Sequence, residues 1–183
     1  TVTGTAWSHA GGKKTALSNG RPLFADDVLS TDAGSQLKIL LRNDVATLIK
    51  DDTQVSLISE SGGKDWTLKL ERGSVLNIVR NPDKRPNHFQ VRTKAAVMGV
   101  RGTVFFVQSK PRQPTFLCTC SGSVAVTSSD GRSSTVISGT AHDSPKSIVD
   151  GAGEIRGRLR PEVMGEDHSD AEGAELEKIF DKS

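Results

Sequence analysis

The chain has 183 residues, with 34% in the hydrophobic set, 25% charged and 18 glycines, which is material for one hydrophobic core with an appendage. No apolar run approaches the roughly 20 residues that cross a bilayer, and nothing has the apolar stretch of a signal peptide, so no membrane-spanning segment is expected in this chain. The net charge of +2 hides an asymmetry of +8 over residues 1–161 against −6 over 162–183, and aromatics are only 4% with no Tyr. A nucleic-acid partner is therefore not expected, because stacking platforms are poorly supplied and a basic binder would not normally carry its own acidic tail.

Along the chain, apolar residues alternate: Leu37, Ile39 and Leu41; Trp66, Leu68 and Leu70; Phe89 and Val91; Phe105 and Val107; Phe116, Cys118 and Cys120. Period two over four to six residues predicts strands with one face buried. Turn signals separate these runs, among them Asn19-Gly20, Asn43-Asp44, Asp51-Asp52, Gly62-Gly63, Asn81-Pro82, Ser121-Gly122 and Asp130-Gly131. Many short strands at such spacing predict an all-β fold, a sandwich or a roll. The loose repeat of apolar pairs over 35–58 keeps a solenoid-like β-roll open beside the sandwich.

Residues 1–149 are read as the all-β domain. Residues 150–183 are read as a Gly/Arg-rich linker followed by an acidic helical segment. Arg156, Arg158 and Arg160 would share one side of an extended linker, as a solvated basic strip facing the acidic tail or as a binding patch. The one helix is predicted at the end: Ser169 and Glu172 have capping-box spacing, and Ala171, Ala174, Leu176, Ile179 and Phe180 follow in a roughly helical apolar pattern. Gly173 inside it costs about 1 kcal/mol relative to Ala.

Cys118-Thr119-Cys120 contains both cysteines of the chain. On a strand the two side chains share a face with Cα atoms about 6.6 Å apart, near the upper limit for a disulfide. Three readings follow. Phe116 shares that face, which suits buried core thiols; a disulfide would need local distortion; and two thiolates could hold a metal if His142 and His168 supplied the remaining ligands. Two Cys and two His complete a four-coordinate set, with zinc or copper the fitting metals and haem a further cofactor reading. Asp143 could orient His142 or simply occupy a turn before Ser144-Pro145. His9 and His88 have no partner legible in the sequence.

Three blocks follow one another in order along the chain. The first is Phe24-Ala25-Asp26-Asp27-Val28-Leu29-Ser30-Thr31 followed by Gly34-Ser35-Gln36-Leu37-Lys38-Ile39. The second and most specific is Phe89-Gln90-Val91-Arg92-Thr93 followed by Val100-Arg101-Gly102-Thr103-Val104-Phe105-Phe106-Val107. The third is Thr119-Cys120-Ser121-Gly122-Ser123-Val124-Ala125-Val126. Together these three blocks, which hold no anti-sigma helical region, resemble the FecR-type domain. What the resemblance implies is a non-enzymatic binding or sensing module, periplasmic or otherwise extracytoplasmic in a bacterium, acting on a protein or cell-envelope partner.

Physical chemistry gives the central block a role of its own. Gly102 between two apolar strands permits a positive φ or a bulge, and Arg101 offers five donors to neighbouring carbonyls, so Arg101, Gly102 and Thr103 read as a structural corner. The functional alternative is Arg101 gripping an anionic ligand or a partner carboxylate. Catalysis finds no support in motifs. The chain has no Gly-x-Ser-x-Gly elbow, no phosphate-cradling loop and no His-Glu-x-x-His, and the Asp26-Asp27 and Asp51-Asp52 pairs fall at turns. No enzyme is expected.

Overall fold

The computed structural model describes residues 1–60, 63–80, 89–100, 102–140, 142, 145–150, 154–157 and 168–182. Alternating apolar residues produce two sheets whose inner faces meet, with two long strands passing from one sheet into the other. The first sheet runs in the order β1 (Val2–Thr3), β5 (Gln36–Leu41), β6 (Val45–Ile49), β8 (Asp65–Val79), β11 (Thr103–Ser109), β12 (Thr115–Ser128), β14 (Lys146–Ile148) and β15 (Ile155–Gly157). The second runs β3 (Lys13–Ala16), β2 (Ala6–Ala10), β4 (Val28–Thr31), β7 (Gln54–Glu60), β8, β9 (Phe89–Arg92), β10 (Ala96–Val100), β12 and β13 (Ser134–Gly139). Each of these pairings is antiparallel except β8 with β9. The repeat over 35–58 becomes the β5–β6 hairpin of the first sheet followed by β7 in the second, which is a sandwich connection.

Strands β8 and β12 serve both sheets because each bends at a glycine. Gly73 has φ +96° and Gly122 has φ +90°, a region L side chains rarely enter. A Cβ on Gly122 would lie 2.6 Å from the Gly102 carbonyl oxygen, so the close approach of the two chain segments requires a glycine there. The ladder between β11 and β12 slips at the same place: Val104 faces Ser121 while Phe105 faces Thr119, leaving Cys120 as the extra residue of a bulge.

The main core lies between the sheets. Leu37, Ile39, Val45, Val75, Phe105 and Leu117 of the first sheet pack against residues such as Leu29, Leu57, Leu68, Phe89 and Val126 of the second. A buried polar rung lies within the first sheet, where the Thr47 hydroxyl of β6 donates to Asn77 Oδ1 of the paired strand β8 over 2.9 Å. The alternation predicts one buried face per strand, and β5, which lies beside the short edge strand β1, obeys it. The centre of the first sheet differs: every residue of β6 is buried. Its outer face carries a second cluster, including Ala46, Leu48, Leu76, Ile78, Phe106, Phe116, Cys118 and Cys120, roofed by Leu176 and Phe180.

That roof is the C-terminal helix α1 (Asp170–Glu177), continued by a 3-10 turn over Lys178–Lys182. Its capping box forms as predicted, with Ser169 Oγ accepting from the Glu172 N–H and Glu172 Oε2 accepting from the Ser169 N–H. The acidic tail meets the basic body directly. Lys50 pairs with Glu172 at 2.8 Å, Arg80 with Glu177 at 3.2 Å and Lys38 with Glu175 at 3.8 Å, while the Arg80 guanidinium lies 3.9 Å from the centre of the Phe180 ring. Ile155–Gly157 falls within the stretch read as a linker, yet forms the edge strand β15 against β14. There Arg156 pairs with Glu154 rather than with the acidic tail; Arg158 and Arg160 lie outside the described residues.

Candidate functional site

Beneath α1, three segments bring four metal-binding side chains, two cysteines and two histidines, to one place. Strand β12 supplies Cys118 and Cys120, both on the outer face and both buried with free thiols. The segment after β13 supplies His142, half-buried and in the left-handed region at φ +59°. The residue before the helix cap supplies His168, which is buried. One ligand atom from each lies within 4.8 Å of the others.

The contacts are specific to particular atoms. Cys118 Sγ is 3.5 Å from His142 Nδ1, Cys120 Sγ is 3.6 Å from His168 Nε2, and the two imidazole nitrogens are 2.9 Å apart. The other nitrogen of His142, Nε2, donates to Asp170 Oδ1 over 2.8 Å. The His168 ring is stacked flat on Phe106, with centroids 4.3 Å apart and planes inclined by 7°. A cavity of about 390 Å³ opens at this edge of the helix, bordered by Cys120, His142, His168 and Asp170.

The electrostatics divide the two thiols. The neighbouring Cys120 thiol, against the cost of burial and with help from His168 and His142, holds the Cys118 thiol down at about 5. Cys120 is pushed upward by Cys118 and by burial. Burial pulls His142 down, but its hydrogen bonds to Asp170 and Cys118 outweigh this and raise it above the ordinary value. One thiol of the pair thus ionises readily, beside an imidazole that is held in place by a carboxylate.

The sequence reading nominated Cys118, Cys120, His142 and His168, and the fold brings all four together. It missed two supporting residues. Asp170 orients His142, the role considered for Asp143, which lies outside the described residues. Phe106 positions His168, and its signal was available: Val104 and Phe106 interleave with Phe105 and Val107, the mark of a strand buried on both faces. His9 instead meets the Ser30 hydroxyl at 3.0 Å within the second sheet, and His88 lies outside the described residues.

At the predicted corner, Gly102 adopts φ +62°, and Thr103 Oγ1 both donates to the Ser123 carbonyl at 2.8 Å and accepts from the Ser123 N–H at 3.3 Å. Gly102 and Thr103 thereby tie β11 to β12 where β12 changes sheets. Arg101 lies outside the described residues.

Comparison with known proteins agrees with this architecture. Two crystal structures of a protein assigned as an anti-sigma factor from Parabacteroides distasonis ATCC 8503, at 2.50 and 1.65 Å resolution, superpose with a TM-score of 0.59 at 19% identity. The likeness covers 72% of this chain and 58% of theirs, so the chain spans little more than half the length of those proteins and shares their fold. No curated protein sequence matches it. The family described as FecR protein matches residues 27–140, from the start of β4 to the end of β13. Carrying that match over well more than half of its length on a two-sheet body, the chain belongs to the FecR protein family.

Proposed function

We propose that this chain is an extracytoplasmic sensing and regulatory module that acts by binding a protein partner and performs no catalysis. The observation that carries the reading is the family match, whose residues 27–140 span both sheets and both bending strands. The relatives of known fold, assigned as an anti-sigma factor, support regulation through protein contact. No helix among the described residues is long and apolar enough to cross a membrane. Open sheet edges suit that work, because their unpaired backbone groups accept an added strand. Strand β13 is such an edge in the second sheet, and it presents Val136 at 66% exposure.

In-cell crosslinking in the native bacterium, followed by fractionation, tests this. The expected result is a specific crosslinked product with one regulatory protein in the envelope or periplasmic fraction, lost when Val136 is replaced by Pro. Recovery of the chain only from the cytoplasm, without a crosslinked partner, would overturn the reading.

A further inference from the structure

The geometry points to a zinc site in which Cys118 Sγ, Cys120 Sγ, His142 Nδ1 and His168 Nε2 bind one ion and thereby clip the C-terminal helix to the outer face of the first sheet. This goes beyond the sensing role and stands independently of it, since it rests on the side-chain positions of these four residues alone.

The first argument is distance. Tetrahedral zinc with Zn–S near 2.3 Å and Zn–N near 2.05 Å has S···N edges of about 3.6 Å and an N···N edge of about 3.3 Å. Two of the four S···N separations, 3.5 and 3.6 Å, fall on those edges, and all four donor atoms lie within 4.8 Å of one another, so the widest pair closes by up to about 1 Å when an ion binds. The N···N separation of 2.9 Å needs to open by about 0.4 Å, a shift of one half-buried imidazole.

The second argument is lone-pair direction. His142 gives its Nε2 proton to Asp170, so in the neutral ring Nδ1 carries a lone pair, and that nitrogen faces Cys118 Sγ and His168 Nε2. Two sulfurs and two imidazole nitrogens converging in this way are the donor set of a soft or borderline cation. Two thiolates and two imidazoles in tetrahedral array select zinc over harder cations such as magnesium and calcium. Four donors meeting at one point also leave no plane for a porphyrin, which disfavours haem.

The third argument is the surroundings. Carboxylate to histidine to metal is a recurrent supporting arrangement for zinc, and Asp170 to His142 reproduces it. The second imidazole is oriented by its stack on Phe106. His142 borders the cavity at the helix edge, so an ion has a path in. Four protein ligands close the coordination shell, which makes the site structural and leaves no open position for a reacting water.

The consequence concerns folding. An eight-residue helix does not hold itself together in water, and α1 is anchored otherwise by Leu176, Phe180 and three ion pairs at its surface. An ion that joins β12, the segment after β13 and the residue before the cap ties the tail to the body through bonds that the unfolded chain does not possess.

The test uses the full chain, purified and kept reduced. Metal analysis after zinc loading and desalting is expected to give one zinc per chain, and cobalt(II) in its place is expected to give the intense visible absorption of a tetrahedral thiolate complex. His142→Ala changes only a half-buried side chain and preserves the core, and should abolish stoichiometric retention. Asp170→Ala should weaken zinc by about 10–100-fold while leaving the four ligands in place. Chelation should accelerate amide exchange over residues 170–182 and leave that of β8 and β11 unchanged. A reduced, folded wild-type chain that binds neither zinc nor cobalt would overturn the proposal, as would equal zinc retention by wild type and His142→Ala. Retention of copper(I) with exclusion of zinc would overturn the metal assignment.

Discussion

The two faces of the first sheet are both buried, yet they are buried by different means. On the inner face, Phe105, Val75 and Leu117 meet a second sheet built from strands spread along the chain. On the outer face, Phe106, Leu76 and Cys118 meet one short helix and a 3-10 turn that contribute Leu176 and Phe180. Neighbouring residues of β11 therefore sit in different regimes. The inner cover is cooperative with the whole fold, because removing it means separating two sheets that share β8 and β12. The outer cover is a local element that could detach while the sandwich stays intact, and its polar ties are concentrated where detachment would begin: the ion pairs, the capping box and the four sulfur and nitrogen donors.

This difference is open to direct measurement. Phe105→Ala should have the largest effect, about 3–5 kcal/mol of global stability, since it opens a cavity between the sheets. Urea unfolding followed by both far-ultraviolet circular dichroism and Trp fluorescence should show one shifted transition. Two separated transitions would mean that the inner core is not the cooperative unit.

Leu176→Ala is expected to cost less, about 2 kcal/mol, at the low end for a buried Leu, because the loss is capped by what helix docking contributes. Hydrogen exchange should quicken over 170–182 alone. Equal quickening in β8 would show that the outer face is as integral to the fold as the inner one.

The smallest effect has the opposite sign. Gly173 has nothing within 4 Å of where a Cβ would stand and has no positive φ, so Gly173→Ala should stabilise the helix by about 0.5 kcal/mol or slightly more through its backbone entropy. A fall in melting temperature would reveal a contact that this cover requires at Gly173.

Local rules made several elements legible in the sequence. Period two placed β5, β9 and β11, because side-chain direction along a strand depends only on residue parity. Ser169 and Glu172 announced the helix start, because a capping box is completed within four residues. Gly102 is read as permitting a positive φ or a bulge, and it takes the positive φ, because a glycine between apolar strands enters that region at little cost. The same parity put Phe116, Cys118 and Cys120 on one face.

What parity could not say was which face is covered, and by what. That depends on where residues far apart in the chain come to rest. The Cys118 to His142 contact spans 24 residues and the Cys120 to His168 contact spans 48, so no local pattern carries them. The pairing of Asp170 with His142 and the stack of His168 on Phe106 arise only once the helix has folded back across the first sheet. The sequence by itself determined the strands, the cap and the chemical types of the donors, since those follow from dihedral preferences and side-chain composition. Only the tertiary structure decided that the donors meet, since their convergence is set by the docking of α1, through buried apolar contacts and charges distant in the chain.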